Sequence, residues 1–558
     1  MTNRVTRHFV NVEGRRVHYS RAGDGPPVVM LHASPVSGKA MSLPQEVFAA
    51  NHTAIAFDNP GFGLSDLLAL EQPEIGDLAD ALAKTLDALG IAQTAVYGRH
   101  TGAAIGVEFA RRYPERCSLA LSDGFPLWAS GVAEDRIKSY LTPIVPTWDG
   151  AHLTWIWLRY RDQFVFWPWH GRSADKRADQ DVPDLDFLQR GALEFLEAGD
   201  GYRVGYAAAF RYKGLETISQ VKVPACYGNR PGDSQFKTMA MYPPEAWTAE
   251  IPREAYPAAV AEREILGKHP AKGEVPPAIP CGDLPDRTTL DYVDLDDSQM
   301  LVRRFGEQDS RTALVLIPDL PGSTALHDDL IKALGRHRPV IALDPPGHGE
   351  SDSAPGFEQT VESWAARVVE ALDRLGVRRF HLLGMGTGAT VAVEIAHRIR
   401  SRVASLILNA PPSLAPGEGA ALAPRYAPSI LPEWDGTHMA RLWHHLRDQE
   451  LWWPWFDRRR ATMRRTDPRI GAEELTARVR EAMKHPETYR PAWEAVLTYP
   501  LLARLAATAV PTVLMTAPGD LFARFIDQAA EVCPGAPVLR VGDTAEERAA
   551  AILSHLPG

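Results

Sequence analysis

Short continuous apolar runs alternate along this chain with longer stretches of helical period. Pro27–Leu31 and Ala313–Ile317 have the length and unbroken apolar character of strands buried on both faces. Residues 94–97 and 381–383 read the same way. Leu78, Ala81, Leu82, Leu86 and Leu89 fall on one face of a predicted helix, and Val368, Ala371, Leu372 and Leu375 do the same later in the chain. Ahead of the first run in each half lies a predicted antiparallel pair, 9–12 with 16–20 and 292–295 with 300–303. The order of strand, turn, helix and strand predicts a mostly parallel, doubly wound sheet, formed twice.

The repetition is long and regular. Gly98-Arg99-His100-Thr101-Gly102 returns 286 positions on as Gly384-Met385-Gly386-Thr387-Gly388. At the same offset the run from Asp58 to Asp66, with Pro60, Gly61, Gly63 and Ser65, answers to Asp344 to Asp352. So do Trp148-Asp149-Gly150 and Trp434-Asp435-Gly436, Arg161-Asp162-Gln163 and Arg447-Asp448-Gln449, and Trp167-Pro168-Trp169 and Trp453-Pro454-Trp455. Self-similarity over such a length means two whole domains, which a chain of 558 residues accommodates comfortably.

The glycine frames resemble the nucleophile elbow of the α/β-hydrolase superfamily, the sharp strand-to-helix turn that carries the attacking residue. The Asp-x-Pro-Gly-x-Gly-x-Ser-Asp loop and the order of elements resemble the same superfamily over almost all of both halves. The resemblance implies an α/β fold, in tandem duplication, each copy carrying a helical cap over its active site. The expected layout is a first copy at 1–270 with its cap at about 126–215, a Pro- and Gly-rich linker at 271–286, and a second copy at 287–558 with its cap at about 413–500.

It also implies a nucleophile, a histidine base, an acid and two oxyanion N–H groups. Neither elbow has the serine: its central residue is His100 in the first copy and Gly386 in the second. No histidine follows the eighth predicted strand in either copy. Candidate acids remain: Asp233 after the seventh strand and Asp123 after the sixth, with Asp520 and Asn409 at the corresponding places in the second copy. Gly-Asp is also ordinary turn chemistry. The oxyanion donors would be the N–H groups of Ala33 and Thr101. His32, Ser34, His152, Arg161 and Trp128 are the expected substrate-binding residues. The Trp-rich motif that carries His152 and Arg161 recurs in the second copy, which favours a packing role for most of it.

Composition excludes other classes. A net charge of −10, with 60 basic and 70 acidic residues dispersed along the chain, leaves no basic stripe for nucleic acid. No apolar stretch approaches a membrane span and the N-terminus has no signal-like core, so no membrane association is expected. Cys117, Cys226, Cys281 and Cys533 have neither metal-type nor CxxC spacing, which fits a reduced, cytoplasmic setting. No metal or cofactor is expected; the expected partner is a small-molecule substrate, with a homodimer left open.

Three functions stay open on the sequence. The first is an enzyme with one working site, His100 in the first copy, acting on a small apolar carbonyl or carboxylate compound as a hydrolase, or alternatively as a cofactor-free lyase or isomerase. The second is a ligand-binding protein that has kept the pocket. The third is a scaffold. In all three the second copy is expected to be pseudo-catalytic, because Gly386 has no side chain.

Overall fold

The computed structural model describes residues 4–128, 132–284, 286–307 and 311–556. The chain divides into two compact units, Met1–Val145 with Trp155–Gly282, and Pro146–Thr154 with Asp283–Gly558. The first unit holds an eight-stranded sheet: β1 (Thr6–Val12), β2 (Arg15–Ala22), β3 (Pro27–Leu31), β4 (Thr53–Phe57), β5 (Thr94–Arg99), β6 (Cys117–Asp123), β7 (Ala225–Asn229) and β8 (Trp247–Glu250). Their order is β1-β2-β4-β3-β5-β6-β7-β8. The β1–β2 and β2–β4 pairs are antiparallel, and the pairs from β4 to β8 are parallel.

The second unit repeats the sheet with β9 (Thr289–Asp294), β10 (Gln299–Phe305), β11 (Ala313–Ile317), β12 (Val340–Leu343), β13 (Phe380–Met385), β14 (Val403–Asn409), β15 (Thr512–Thr516) and β16 (Val538–Arg540), in the same spatial order. Central strands such as β3, β4 and β12 are buried at every residue, as helices on both faces of a parallel sheet require.

A helical insertion separates β6 from β7, with helices at Glu134–Tyr140, Ala151–Asp162, Leu185–Ala198, Tyr202–Arg211 and Gly214–Ile218. Its counterpart lies between β14 and β15. The division of the chain differs from the expected one in two places. Most of the expected linker belongs to the first unit: the Arg21 guanidinium donates to the carbonyls of Pro276 at 2.6 Å and Val275 at 3.3 Å. Residues 146–154 group with the second unit, where the His152 ring meets Trp443 edge-on at 5.3 Å and its Nε2 lies 3.0 Å from Thr476 Oγ1.

Candidate active site

In a doubly wound sheet the loops at the carboxyl ends of the strands form the crevice. Four such loops of the first unit meet here, those after β3, β5, β6 and β7. The elbow follows β5. Gly98 and Gly102 lie where a Cβ would run into main-chain carbonyl groups, of Gly102 and Leu31 respectively, so only glycine lets the strand and helix Thr101–Arg112 approach so closely. Between them His100 has φ +46° and ψ −108°. A non-glycine residue held there costs on the order of 1–3 kcal/mol. The second elbow has φ +48° and uses glycine, Gly386, which relieves that strain.

The His100 ring lies over Gly124, which begins the loop after β6 with φ +72°; a Cβ there would stand 2.9 Å from Cε1. His100 Nε2 is 3.0 Å from Asp233 Oδ2, in the loop after β7. Asp233 is fixed in turn by the Gln235 N–H, which donates to Oδ1 at 2.7 Å. Burial disfavours the imidazolium, but the charge and hydrogen bond of Asp233 outweigh it and raise the His100 pKa above its ordinary value. Burial likewise opposes ionisation of Asp233, and His100 overcomes it, holding that carboxyl down at about 2. The signs give a stability window. The His100 contribution is present below its ordinary pKa and is lost as pH rises through the raised one. The Asp233 contribution is present above the ordinary carboxylate pKa and is lost as pH falls through about 2.

Both groups line a cavity of about 590 Å³, which lies wholly within the first unit. Ala33, Ser34, Thr101 and Trp128 line it too, with Tyr160, Phe164 and Trp167 adding aromatic wall. The Ser34 and Thr101 hydroxyls are buried, with no hydrogen-bond partner among the described residues. Trp128 is held by its indole N–H, which donates to the Ala209 carbonyl at 3.2 Å, and by stacking on Phe210.

Four expected site residues stand elsewhere. His32 is fully buried and does not line the cavity: its Nε2 accepts the Asn59 N–H at 2.8 Å and its Nδ1 donates to the Ala33 carbonyl at 2.7 Å, while burial keeps it neutral. It shapes the loop that presents Ala33. His152 closes a turn, its Nδ1 accepting the Thr147 N–H at 3.2 Å, and His438 repeats this with Glu433 at the same distance. Arg161 stands beside Asp162, 3.4 Å away, outside the cavity lining. Asp123 does not orient His100 through its carboxylate, which lies 3.1 Å from Arg99 Nε and 2.7 Å from Arg230 Nη2. Its backbone carbonyl accepts the His100 N–H at 3.0 Å, and its charge adds a small upward pull on the imidazole pKa.

Beneath the elbow Arg230 Nη2 also meets Glu262, at 2.9 Å. Burial and the nearby Asp123 push the Glu262 pKa up. Arg99, Asp123, Arg230 and Glu262 thus form one buried charge cluster that no motif in the sequence marks. Its signal was there: charged residues directly after predicted buried strands, and a glutamate on the apolar face of the last helix, Ala255–Leu266.

The second unit arranges the same positions differently. Asp319, at the place of Ala33, fills the space beneath Gly386, where a Cβ would collide with its carboxylate. Its Oδ1 accepts the Thr387 N–H at 3.3 Å, the donor that corresponds to Thr101. Asp520, the counterpart of Asp233, is bound through both oxygens by Arg548, at 2.8 and 3.2 Å, and Asn409 donates to it at 3.2 Å.

Among the described residues no helix is long and apolar enough to cross a membrane. A family model described as alpha/beta hydrolase fold matches residues 26–138 and 312–522, together more than half of the chain. A 2-hydroxy-6-oxo-6-phenylhexa-2,4-dienoate hydrolase of Comamonas testosteroni is 34% identical over 104 residues, 18% of this chain and 36% of that protein. A cis-3-alkyl-4-alkyloxetan-2-one decarboxylase of Shewanella oneidensis is 32% identical over 118 residues, 20% of this chain and 36% of that protein. The chain thus spans about a third of the length of these curated relatives. Among solved structures, the enol-lactonase from Burkholderia xenovorans LB400 aligns with a TM-score of 0.35 at 19% identity, over 47% of this chain and 94% of that one.

Proposed function

The chain belongs to the alpha/beta hydrolase fold family, in two tandem copies, and from that premise we propose that the first copy is a working enzyme site centred on His100 while the second has lost its chemistry. The observation that carries this reading is the 3.0 Å pair of His100 Nε2 and Asp233 Oδ2 at the wall of the cavity. The strained backbone at His100 supports it, since strain at one residue persists where function retains it and the glycine of the second copy shows the relaxed alternative.

The pair supports a reading of which nitrogen acts. With Nε2 on Asp233, Nδ1 is the nitrogen that takes a proton. The raised pKa makes it a stronger base than free imidazole once pH exceeds that value. Acting on water, it would deliver hydroxide to a substrate carbonyl whose developing oxyanion meets the N–H groups of Ala33 and Thr101. The proton taken by Nδ1 then passes to the leaving group. Acting on an acidic C–H instead, the same base gives lyase or isomerase chemistry, and the missing hydroxyl nucleophile at the elbow favours keeping that alternative. The aromatic lining suits a small, largely apolar carbonyl or carboxylate compound. The names of both relatives describe carbonyl compounds, a keto acid carrying a phenyl group and an alkyl-substituted oxetan-2-one.

The test is turnover of activated short-chain esters, thioesters and lactones by the purified protein, with solvent-deuterium exchange into carbonyl compounds followed in parallel. Ester or lactone cleavage is the expected result. Exchange without cleavage would move the assignment to lyase or isomerase chemistry. Saturable binding with neither would leave a ligand-binding protein. In the second copy the Asp319 carboxylate holds the oxyanion donor and Arg548 holds the acid, so Asp319→Ala is expected to leave turnover within about twofold of wild type. Steady-state kinetics checks this, and a loss of tenfold or more would contradict the confinement of chemistry to the first copy.

A further inference from the structure

Arg159 sits on the helix Ala151–Asp162 and is one of the largest fully buried side chains in the protein, at 1% exposure. Its guanidinium carbon stands 4.7 Å from the Trp169 ring centre, 5.0 Å from that of Tyr140 and 5.7 Å from that of Phe195. One nitrogen, Nη1, donates to Gln163 Oε1 at 3.1 Å. The other two, Nε and Nη2, are buried without a hydrogen-bond partner, and no carboxylate lies within ion-pair distance among the described residues. A buried cation with neither counter-ion nor full hydrogen bonding is costly, and aromatic faces recover only part of that cost.

The second copy contains the same box with a different centre. Position 445 corresponds to Arg159, and Tyr426, Gln449 and Trp455 correspond to Tyr140, Gln163 and Trp169. Trp455 Nε1 donates to the Tyr426 carbonyl at 2.7 Å, as Trp169 Nε1 does to the Tyr140 carbonyl at 2.9 Å. His445 is fully satisfied there, with Nδ1 at 2.9 Å from Tyr489 Oη and Nε2 at 3.1 Å from Gln449 Nε2. Burial keeps it neutral, its pKa pulled down to about 3. The box therefore packs well around a neutral ring, and a cation is not needed to build it. In the first copy the box adjoins the cavity: Arg159 stands behind the lining, and Tyr140 and Gln163, both touching it, line the cavity together with Tyr206, whose hydroxyl is 3.3 Å from that of Tyr140, so a ligand reaches the guanidinium by displacing the Gln163 or Tyr140 side chain.

We propose that Arg159 is an anion-recognition group of the first-copy cavity, taking the carboxylate of a small aryl-alkyl acid whose reacting carbon is presented to His100. Planar Nε–H and Nη2–H donors suit a carboxylate held by two hydrogen bonds. This rests on the reading of the cavity as the substrate site, and it narrows the substrate class from carbonyl or carboxylate compounds to apolar monoanions whose carboxylate is bound by Arg159.

The probes are 3-phenylpropionate and its amide, matched in shape and differing in charge, titrated by calorimetry at pH 8 into wild type, Arg159→His and His100→Ala. Arg159→His introduces the residue that the second copy already accommodates, so it keeps the box packed; circular dichroism and melting temperature verify that it does. Wild type is expected to bind the acid at least about tenfold more tightly than the amide, roughly 1.4 kcal/mol. His100→Ala should keep that preference, and Arg159→His should lose it, binding both probes within about twofold. A preference that survives Arg159→His, one that disappears in His100→Ala, or no saturable binding of the acid to wild type would each overturn the proposal. Binding that follows Arg159 in a protein without any turnover would retain the anion subsite and reject the enzymatic reading, so the two can fail separately.

Discussion

His100→Ala abolishes turnover on any substrate that the first copy processes, lowering kcat/KM by about 10²–10⁴ with little change in fold. The size follows from the role. A positioned general base contributes that range, and here no other group is placed to replace it, because the loop after β8 supplies no histidine. Stability should fall modestly, since alanine removes the partner of the Asp233 carboxylate while little packing is lost at a ring that is one-third exposed. Kinetics beside a melting curve checks both. His100→Gln, which keeps the volume and one hydrogen bond to Asp233, should be as inactive as alanine, separating proton transfer from packing.

Arg230→Ala destabilises the protein by about 3–5 kcal/mol, the range found when one member of a buried charge group is removed and its partners are left uncompensated. The reason is geometric. Arg230 is the shared cation of Asp123, at 2.7 Å, and Glu262, at 2.9 Å, and both carboxylates are buried. The defect has a predictable pH dependence. The Glu262 pKa is already raised in the folded state by burial and by Asp123, and losing the guanidinium raises it further. The folded variant therefore binds more protons than its unfolded chain. Its deficit is smallest at low pH, where Glu262 is protonated in both folded proteins, and grows as pH rises through the raised Glu262 pKa of the wild type. Urea unfolding of wild type and variant at pH 5 and pH 8 measures it, and a deficit equal at both would contradict this electrostatic account.

The fold was legible because its signals are local. Apolar runs such as Pro27–Leu31 are strands since nothing else buries five consecutive apolar residues between two helical layers, and the glycine frames mark turns that only glycine can close. The meeting of His100 with Asp233 was also readable, because the elbow and the seventh strand end at one rim of such a sheet. Helical spacing puts Arg159 and His152 on a common face of the helix Ala151–Asp162, but a face does not say what covers it. His152 meets Trp443 and Thr476 whereas Arg159 meets an aromatic box beside the cavity. Histidines mislead for a further reason. Both ring nitrogens of His32 and Nδ1 of His152 are spent on backbone groups, and hydrogen bonds of that kind leave no trace in spacing. Asp319 could have been found from sequence by setting the two copies side by side, since a carboxylate stands there where the first copy has Ala33. That its carboxylate accepts the Thr387 N–H is visible only in the folded chain.

The central claim is that His100 acts as a base whose strength is set by Asp233, and the pH profile of kcat/KM in wild type beside Asp233→Asn tests it most directly. Wild type is expected to gain activity with rising pH through a limb centred above 6.5, because the carboxylate raises the pKa of the imidazole. In Asp233→Asn that charge is gone, burial and the Arg99 charge then outweigh the weaker upward pull of Asp123, and the limb should move to lower pH by about one unit or more, with a lower maximum. A limb at the same pH in both proteins, or none in wild type, would contradict the account.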